Sequence, residues 1–203
     1  MESKGFSFYL CLMHSAIRHH ILKYVQASEQ EIKAFCSYLQ PITVPKKSFL
    51  LQPNQHVSYE YFVIKGCLRA YYMDDKGSKH IVQFAVEDWW VGDFDAFYNE
   101  VPSNLYVQAI EESELLYISK ENIEALFKQY PVFERYFRLL VTSAFISQQK
   151  RILSSLQKNT QERYIDFCNT YPNIEDRVPN YHIANYLGVS AESISRIRRV
   201  LKG

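Results

Sequence analysis

Cysteine is sparse and scattered in this 203-residue chain: Cys11, Cys36, Cys67 and Cys168 form no CxxC or CxH pair. That spacing argues against a structural zinc site and against a cysteine-clustered iron–sulfur centre near the N-terminus. Isolated thiols fit a reducing compartment better than a disulfide scaffold, so a cytoplasmic location is expected. Histidine is equally unhelpful to a metal. There is no HxH pair, and His56 with His80 would need an acid to make even a minimal set. No apolar run is long enough to span a bilayer, which argues against a membrane partner. Charge of a single sign is also lacking. With 23 basic and 22 acidic side chains, the net charge is +1, so the chain is no general polycation. No internal repeat or low-complexity segment is visible.

Aromatic residues are abundant, with 16 Tyr and 13 Phe, which favours strands and pockets over coiled coil. The charge, though balanced, is unevenly spread. From Arg151 onward eight basic residues face five acids, while the longer front part is slightly acidic. At the N-terminus, Phe6–Met13 is a short apolar run after Lys4. It lacks a small-residue cleavage site and is followed at once by His14, Arg18, His19 and His20, which argues against an export signal. Translation starting at Met13 rather than Met1 is an alternative for this segment.

Ser28 and Glu31 resemble a capping box, and Ile32, Phe35, Cys36 and Leu39 then recur at helical spacing until Pro41. After Pro41 the pattern changes to short runs rich in Val, Ile, Phe and Tyr: 42–44, 48–52, 61–65, 68–73, 80–85, 105–110 and 114–118. Lys65-Gly66 and Asp75-Lys76-Gly77 supply hairpin-type turns. Such regularly spaced short strands predict a β-sandwich or jelly-roll barrel. Helix returns over 122–129, and Pro131 suits the first turn of a long helix reaching about Gln157. One stripe of that helix runs Phe133, Phe137, Leu140, Ala144, Ser147 and Arg151, alternating steps of three and four as a helix–helix seam does. Leu139, Ile146 and Leu153 form a second stripe. One stripe is expected to cover the barrel and the other to meet a second copy. Arg163–Tyr171 reads as a further amphipathic helix, and a loop over 173–179 leads to the C-terminus.

The last stretch, NYHIANYLGVSAESISRIRRVLKG, is the most specific. Ala184 allows two helices to cross closely, Gly188 makes the turn, and Ile183, Leu187, Val189, Ile194 and Ile197 fill the wedge, as a helix-turn-helix requires. Ser190 is the N-cap of the second helix. Glu192, Ser195, Arg196 and Arg199 then share an outer face, as on a helix that reads a DNA major groove. An ordinary αα-hairpin with a basic end is the blander alternative.

A strand-rich barrel, a long helix and a helix-turn-helix in this order resemble the Crp/Fnr superfamily of bacterial transcription regulators. FVIKGCLRAYY (62–72) resembles its strand–turn–strand, WWVGDF (89–94) the approach to its phosphate-binding cassette, and VPNYHIANYLGVSAESISRIRRVL its DNA-binding signature. NYHIANYLG, SISRIR and the PSN at Pro102 look most like a branch common in Bacteroidetes-type bacteria. The resemblance implies an α+β chain. A double-stranded β-helix (jelly-roll) sensor of the cyclic-nucleotide-binding type with its N-terminal helices would occupy 1–130. A dimerisation helix would span 131–157, with seam residues Phe133, Phe137, Leu140, Ala144 and Ser147. A winged helix-turn-helix would occupy 158–203. Carried over by position, Glu192 and Arg196 would reach base edges, joined by Ala191 had it a longer side chain. Ser190, Ser193 and Ser195 are candidates for contacts at the helix start, and Arg199 shares the face. Implied partners are double-stranded DNA carrying a pseudo-palindromic site, a second copy of the chain, and RNA polymerase.

The sensor departs from the pattern. Members that bind cyclic AMP carry Gly-Glu and then Pro-Arg, the arginine pairing with the cyclic phosphate. Here Gly92-Asp93 keeps a shorter acid, and Pro102 is followed by Ser103-Asn104. A buried phosphate without a cation is costly, so cyclic AMP is not expected. Gly92, Asp93, Ser103, Asn104 and, from the long helix, Gln148 are the candidate effector residues. Trp89, Trp90, Phe94, Phe97, Tyr98 and Tyr106 either line a pocket for an apolar or planar ligand or simply fill the barrel, and the second is favoured. No catalytic or metal-binding residue and no resident cofactor is assigned. The rival readings are a cupin-like metal-dependent enzyme, for which no metal triad or acid–base pair is found, and a dimer that associates with DNA without an effector.

Overall fold

The computed structural model describes the backbone of residues 2–202 and the side chains of 13–201. The start-site and export readings lie mostly outside the described side chains; the backbone there belongs to α1 (Glu2–Tyr24), a helix that the sequence reading did not anticipate. There follow α2 (Glu29–Ser37), β1 (Gln40–Val44), β2 (Phe49–Leu51), β3 (Tyr59–Lys65), β4 (Leu68–Met73), β5 (Lys79–Ala85), β6 (Trp90–Val91), α3 (Phe94–Asn99), β7 (Tyr106–Ala109) and β8 (Ser113–Ser119). The chain continues with α4 (Lys120–Gln129), α5 (Pro131–Gln157), α6 (Thr160–Thr170), α7 (Ile174–Arg177), α8 (Asn180–Leu187) and α9 (Ala191–Lys202). The Ser28–Glu31 capping box forms as expected.

The strands make two antiparallel four-stranded sheets, ordered β1-β8-β3-β6 and β2-β7-β4-β5. Side chains alternate across each. Val63, Leu68, Ala70, Ala85, Val107, Ala109 and Leu115 point inward and close the barrel with small aliphatic groups. Gly66 turns β3 into β4 with φ of 115°, and a Cβ there would strike Ser113. Tyr59, Tyr61 and Tyr117 share this inner face at one end, and most of the other large side chains point outward. Phe62, Leu116 and Ile118 leave the first sheet and meet Met13, Ile17, Ile21, Phe35, Leu126, Phe133 and Tyr136 from the helices. Cys67, Tyr71, Ile81 and Phe84 leave the second sheet and meet Tyr164, Phe167, Tyr171, Ile183 and Leu187 from the C-terminal helices. The barrel is therefore covered on both faces.

Three readings need correction. Phe133 and Phe137 do not stand in a seam between copies; they are buried within the chain against Phe35, Phe127 and Trp90. Leu140 packs at the edge of the same cluster. The aromatic set near the cassette does not fill the barrel either. Trp90 and Phe97 belong to the helix-covered face, Trp89 stacks on Tyr171 of the C-terminal helices, Tyr106 stacks on Tyr71 of the neighbouring strand, and Phe94 and Tyr98 are exposed. Strand alternation, which spacing alone did not resolve, decides this. Lastly, the described residues after Lys158 form helices only, so the strands of a wing are not among them, and the expected 173–179 loop contains α7.

One buried polar chain ties the first cover in place. Tyr136 Oη donates to His20 Nδ1 at 2.7 Å and accepts from Trp90 Nε1 at 3.1 Å, joining α5, α1 and β6. Burial holds the His20 imidazole down at about 4, so it is a neutral acceptor. Its folded value lies below that of an exposed histidine, so its contribution is whole above about 6.5 and fades as pH falls towards 4. Tyr136→Phe strands the buried His20 and the half-buried Trp90 indole N–H, and is expected to cost about 1–3 kcal/mol in urea unfolding at pH 7; an unchanged midpoint would contradict the role.

Candidate nucleic-acid interface and effector pocket

The C-terminal unit is built as its sequence demands. α8 ends on Gly188 with φ of 66°, where a β-carbon would be strained, and the Gly188 and Val189 amides both bond back to the Ala184 carbonyl. Ile183, Ala184, Leu187 and Ile194 are buried in the wedge. Ser190 Oγ accepts from the Ser193 amide at 3.3 Å, starting α9. Asn180 braces the two helices, donating to Ser195 Oγ at 3.0 Å and accepting from Arg198 at 2.6 Å.

Glu192, Ser195, Arg196 and Arg199 are exposed together on one face of α9, and Ser190 stands exposed at its start. Arg196 and Arg199 make no ion pair among the described residues. Glu192's own amide and the Ser190 hydroxyl hold its carboxyl below the usual range, so it is an acceptor at neutral pH. Ala191 packs against the core cluster, and Ser193 is half-buried. The arrangement presents two forked donors and one acceptor on an open helix, the chemistry that reads guanine and cytosine edges.

The cassette is closed upon itself. Asp93 caps α3, its Oδ1 accepting from the Ala96 amide at 3.3 Å. Its Oδ2 accepts from Ser103 Oγ at 2.7 Å, and Ser103 accepts in turn from the Leu105 amide at 3.0 Å. Asp93 and Ser103 are buried, and their hydrogen-bonding capacity is largely spent on each other. Asn104 is exposed beside them. A cavity of about 470 Å³ opens nearby, bounded by Leu51, Asn54, His56, Tyr59, Tyr61 and Gly92; no Lys or Arg lines it. Of the expected effector residues only Gly92 reaches it. Gln148 instead lines a separate cleft of about 920 Å³ between α5, α6, α8 and β5, so within one chain it does not approach the cassette.

Sequence reasoning missed Glu60, whose strand position marks it outward but whose burial no local signal announces. It is 1 % exposed, neither carboxyl oxygen has a partner, and it lies so close to Gly92 that a Cβ there would sit 2.6 Å from Oε2. Burial, then Asp93, pushes it up to about 8. The cassette thus holds two acids where a phosphate site needs a cation. No group of three or more metal-ligating side chains occurs among the described residues. A raised carboxyl favours the folded state less as pH climbs, because the unfolded chain ionises it from about 4.5 and the folded chain only near 8. Stability of the wild type relative to Glu60→Met is therefore expected to fall by roughly 1–3 kcal/mol between pH 5 and pH 8 in urea unfolding. A pH-independent difference would contradict the assignment.

The outer stretch of α5 is bare and apolar. Val141, Phe145, Ile152 and Leu156 lie along one side at 44 %, 67 %, 60 % and 77 % exposure. Ala144 and Ser147 are exposed beside this line rather than forming it, and Arg151 bends back to the barrel. Of the second expected stripe, Leu139 is half-buried while Ile146 and Leu153 are exposed at 44 % and 46 %, so the bare apolar surface of α5 includes part of that stripe and not Phe133 or Phe137.

Comparison with known proteins agrees with this architecture. The family profile of the cyclic nucleotide-binding domain matches residues 41–130. The anaerobic regulatory protein of Haemophilus influenzae is 24 % identical over 168 residues, covering 76 % of this chain and 63 % of that protein. The fumarate and nitrate reduction regulatory protein of Vibrio cholerae is 25 % identical over 165 residues, covering 76 % and 65 %. The chain thus matches somewhat under two thirds of the length of these relatives. Among solved structures, FixK2 from Bradyrhizobium japonicum superposes with a TM-score of 0.70 at 16 % identity, covering 81 % of this chain and 84 % of that one. The c-di-GMP responsive regulator CLP from Xanthomonas campestris gives 0.68 at 15 %, covering 86 % and 92 %. Residues 41–130 are a cyclic nucleotide-binding-type barrel, joined through a long helix to a helix-turn-helix. Over about three quarters of its length the chain is similar to these regulatory proteins, and its fold is that of FixK2 and CLP.

Proposed function

We propose that the chain is a homodimeric, sequence-specific DNA-binding transcription regulator of the cytoplasm and not an enzyme. The observation that carries this is α9: Glu192, Arg196 and Arg199 stand exposed on one face of a helix that Gly188 and Ile194 fix against α8. Arg196 forks onto guanine, Glu192 accepts from cytosine, and the serines at the helix start meet backbone or base. Val141, Phe145, Ile152 and Leu156 are the surface that a second copy covers, which sets two reading helices about one duplex turn apart. RNA polymerase is the further partner such a regulator engages. The relatives' names as regulatory proteins support the reading.

The effector is not cyclic AMP. Asp93, Ser103 and Glu60 occupy the cassette with hydrogen bonds and an uncharged acid, and no cation lines the cavity to receive a phosphate.

Arg196→Ala is expected to weaken operator binding by about 1–3 kcal/mol in a gel shift at fixed salt; equal affinity of the two proteins would refute the assignment. Phe145→Glu is expected to convert the dimer to a monomer in light scattering. Persistence of a dimer of wild-type strength would contradict the seam.

A further inference from the structure

The outer face of the second sheet meets α8 through a contact with an unusual centre. Arg69 leaves β4 on the same side as Cys67 and Tyr71 and is 6 % exposed. Among the described residues no carboxylate meets it. One guanidinium nitrogen donates to Gln108 Oε1 at 2.6 Å, another lies 2.5 Å from His182 Nδ1, and Nε has no partner. The guanidinium lies over the Tyr71 ring at 4.7 Å, and Lys79 approaches the same ring at 5.3 Å. The nitrogen beside His182 Nδ1 also lies 3.0 Å from Nε2, so the guanidinium is pressed against the imidazole itself, and His182 on α8, 5 % exposed, would set a second positive charge against Arg69 if it were protonated.

The rim differs from the centre. Arg177 pairs with Glu87 at 2.8 Å and with Glu111 at 2.5 Å. The register shift between Ala70 and Tyr71 leaves the Val82 carbonyl out of the ladder, and Arg151 donates to it at 2.6 Å and to the Tyr186 carbonyl at 3.1 Å. Trp89 stacks on Tyr171 at 5.1 Å. A sound apolar and ionic rim thus encloses a buried cation without a counterion, a combination that one added charge disturbs.

We propose that the joint between the barrel and α8 is separable, docked while His182 is neutral and released when His182 takes a proton beside Arg69. The groups facing His182 are Arg69 and Tyr71 from β4, Lys79 from β5, and Tyr181 on its own helix; none is a carboxylate. Burial, then Arg69 and Lys79, holds the docked imidazole at about 4, against 6.5 in water. The released form therefore binds the proton more tightly. Docking is complete above about 6.5, weakens as pH falls, and levels off near 4, a loss on the order of 50-fold between pH 7.5 and 4.5. The recognition face is open to solvent while docked, so the joint sets the orientation of α9 rather than hiding it. That consequence rests on the function proposed above; the opening itself does not, and it is measured without DNA.

In a Trp90→Phe background Trp89 is the sole indole. Its acrylamide quenching is expected to rise several-fold from pH 7.5 to 4.5 with the helical circular dichroism unchanged. In His182→Gln, which still accepts from Arg69 but does not titrate, the rise is abolished, although His20 on the opposite face still titrates. Arg69→Met, which removes the repelling charge and keeps the packing, shrinks the rise and decides the matter should the first variant fail to fold. Trp89 equally shielded at both pH values, a wild-type rise in His182→Gln, or one in Arg69→Met would overturn the proposal.

Discussion

The structure depends on how the barrel strands divide their side chains. Alanine, valine and leucine fill most of a narrow interior, with Tyr59, Tyr61 and Tyr117 at one end of the inner face, and the other rings stand outside on both sheets. A sheet with an aromatic outer face gains stability when it is covered. On one side the cover is α1, α2, α4 and the first turns of α5; on the other it is the C-terminal helices. The C-terminal unit is thus part of the solution to the barrel's packing as well as a unit of its own. Phe84 illustrates the point, since it leaves β5 and is enclosed by Phe167, Tyr171 and Tyr186.

This division links the sensor cassette to both covers. Trp89 and Trp90 are neighbours at the start of β6, immediately before Gly92 and Asp93, and strand alternation sends them opposite ways. Trp89 stacks on Tyr171 of the C-terminal unit, while Trp90 bonds Tyr136 of the long helix. The cassette is thus in contact, through two adjacent residues, with both the long helix α5 and the unit that carries α9. The junction between α5 and α6 is only two residues, Lys158 and Asn159, and is itself clamped. Lys158 pairs with Asp166 at 2.8 Å, and Asn159 with Glu162 forms a capping box. Motion between the units therefore has to open a contact rather than stretch a linker.

Local chemistry was legible in the sequence wherever one element determines it. Ser28–Glu31, Pro131, Gly188 and Ser190 mark their termini as the rules for caps and turns require, and the face of Glu192, Arg196 and Arg199 follows from helical period alone. What sequence could not show was which of two faces a residue takes when both are apolar. Phe133 and Phe137 satisfy seam spacing and core spacing alike, and only the arrival of Phe35 and Trp90 settles their place. Glu60 and Arg69 were invisible for a related reason: each sits in an ordinary strand pattern, and its burial is imposed by elements remote in sequence. Asp93 and Ser103 have the sequence position of ligand groups but spend their hydrogen bonds on each other.

The central claim is that two copies, joined along α5, present α9 to DNA as a sequence-reading pair. Selection of bound fragments from a random duplex pool by the full chain tests it most directly. The account predicts enrichment of an inverted repeat with half-sites about one helical turn apart; a bound pool without a common motif, or with a single unrepeated half-site, would contradict it.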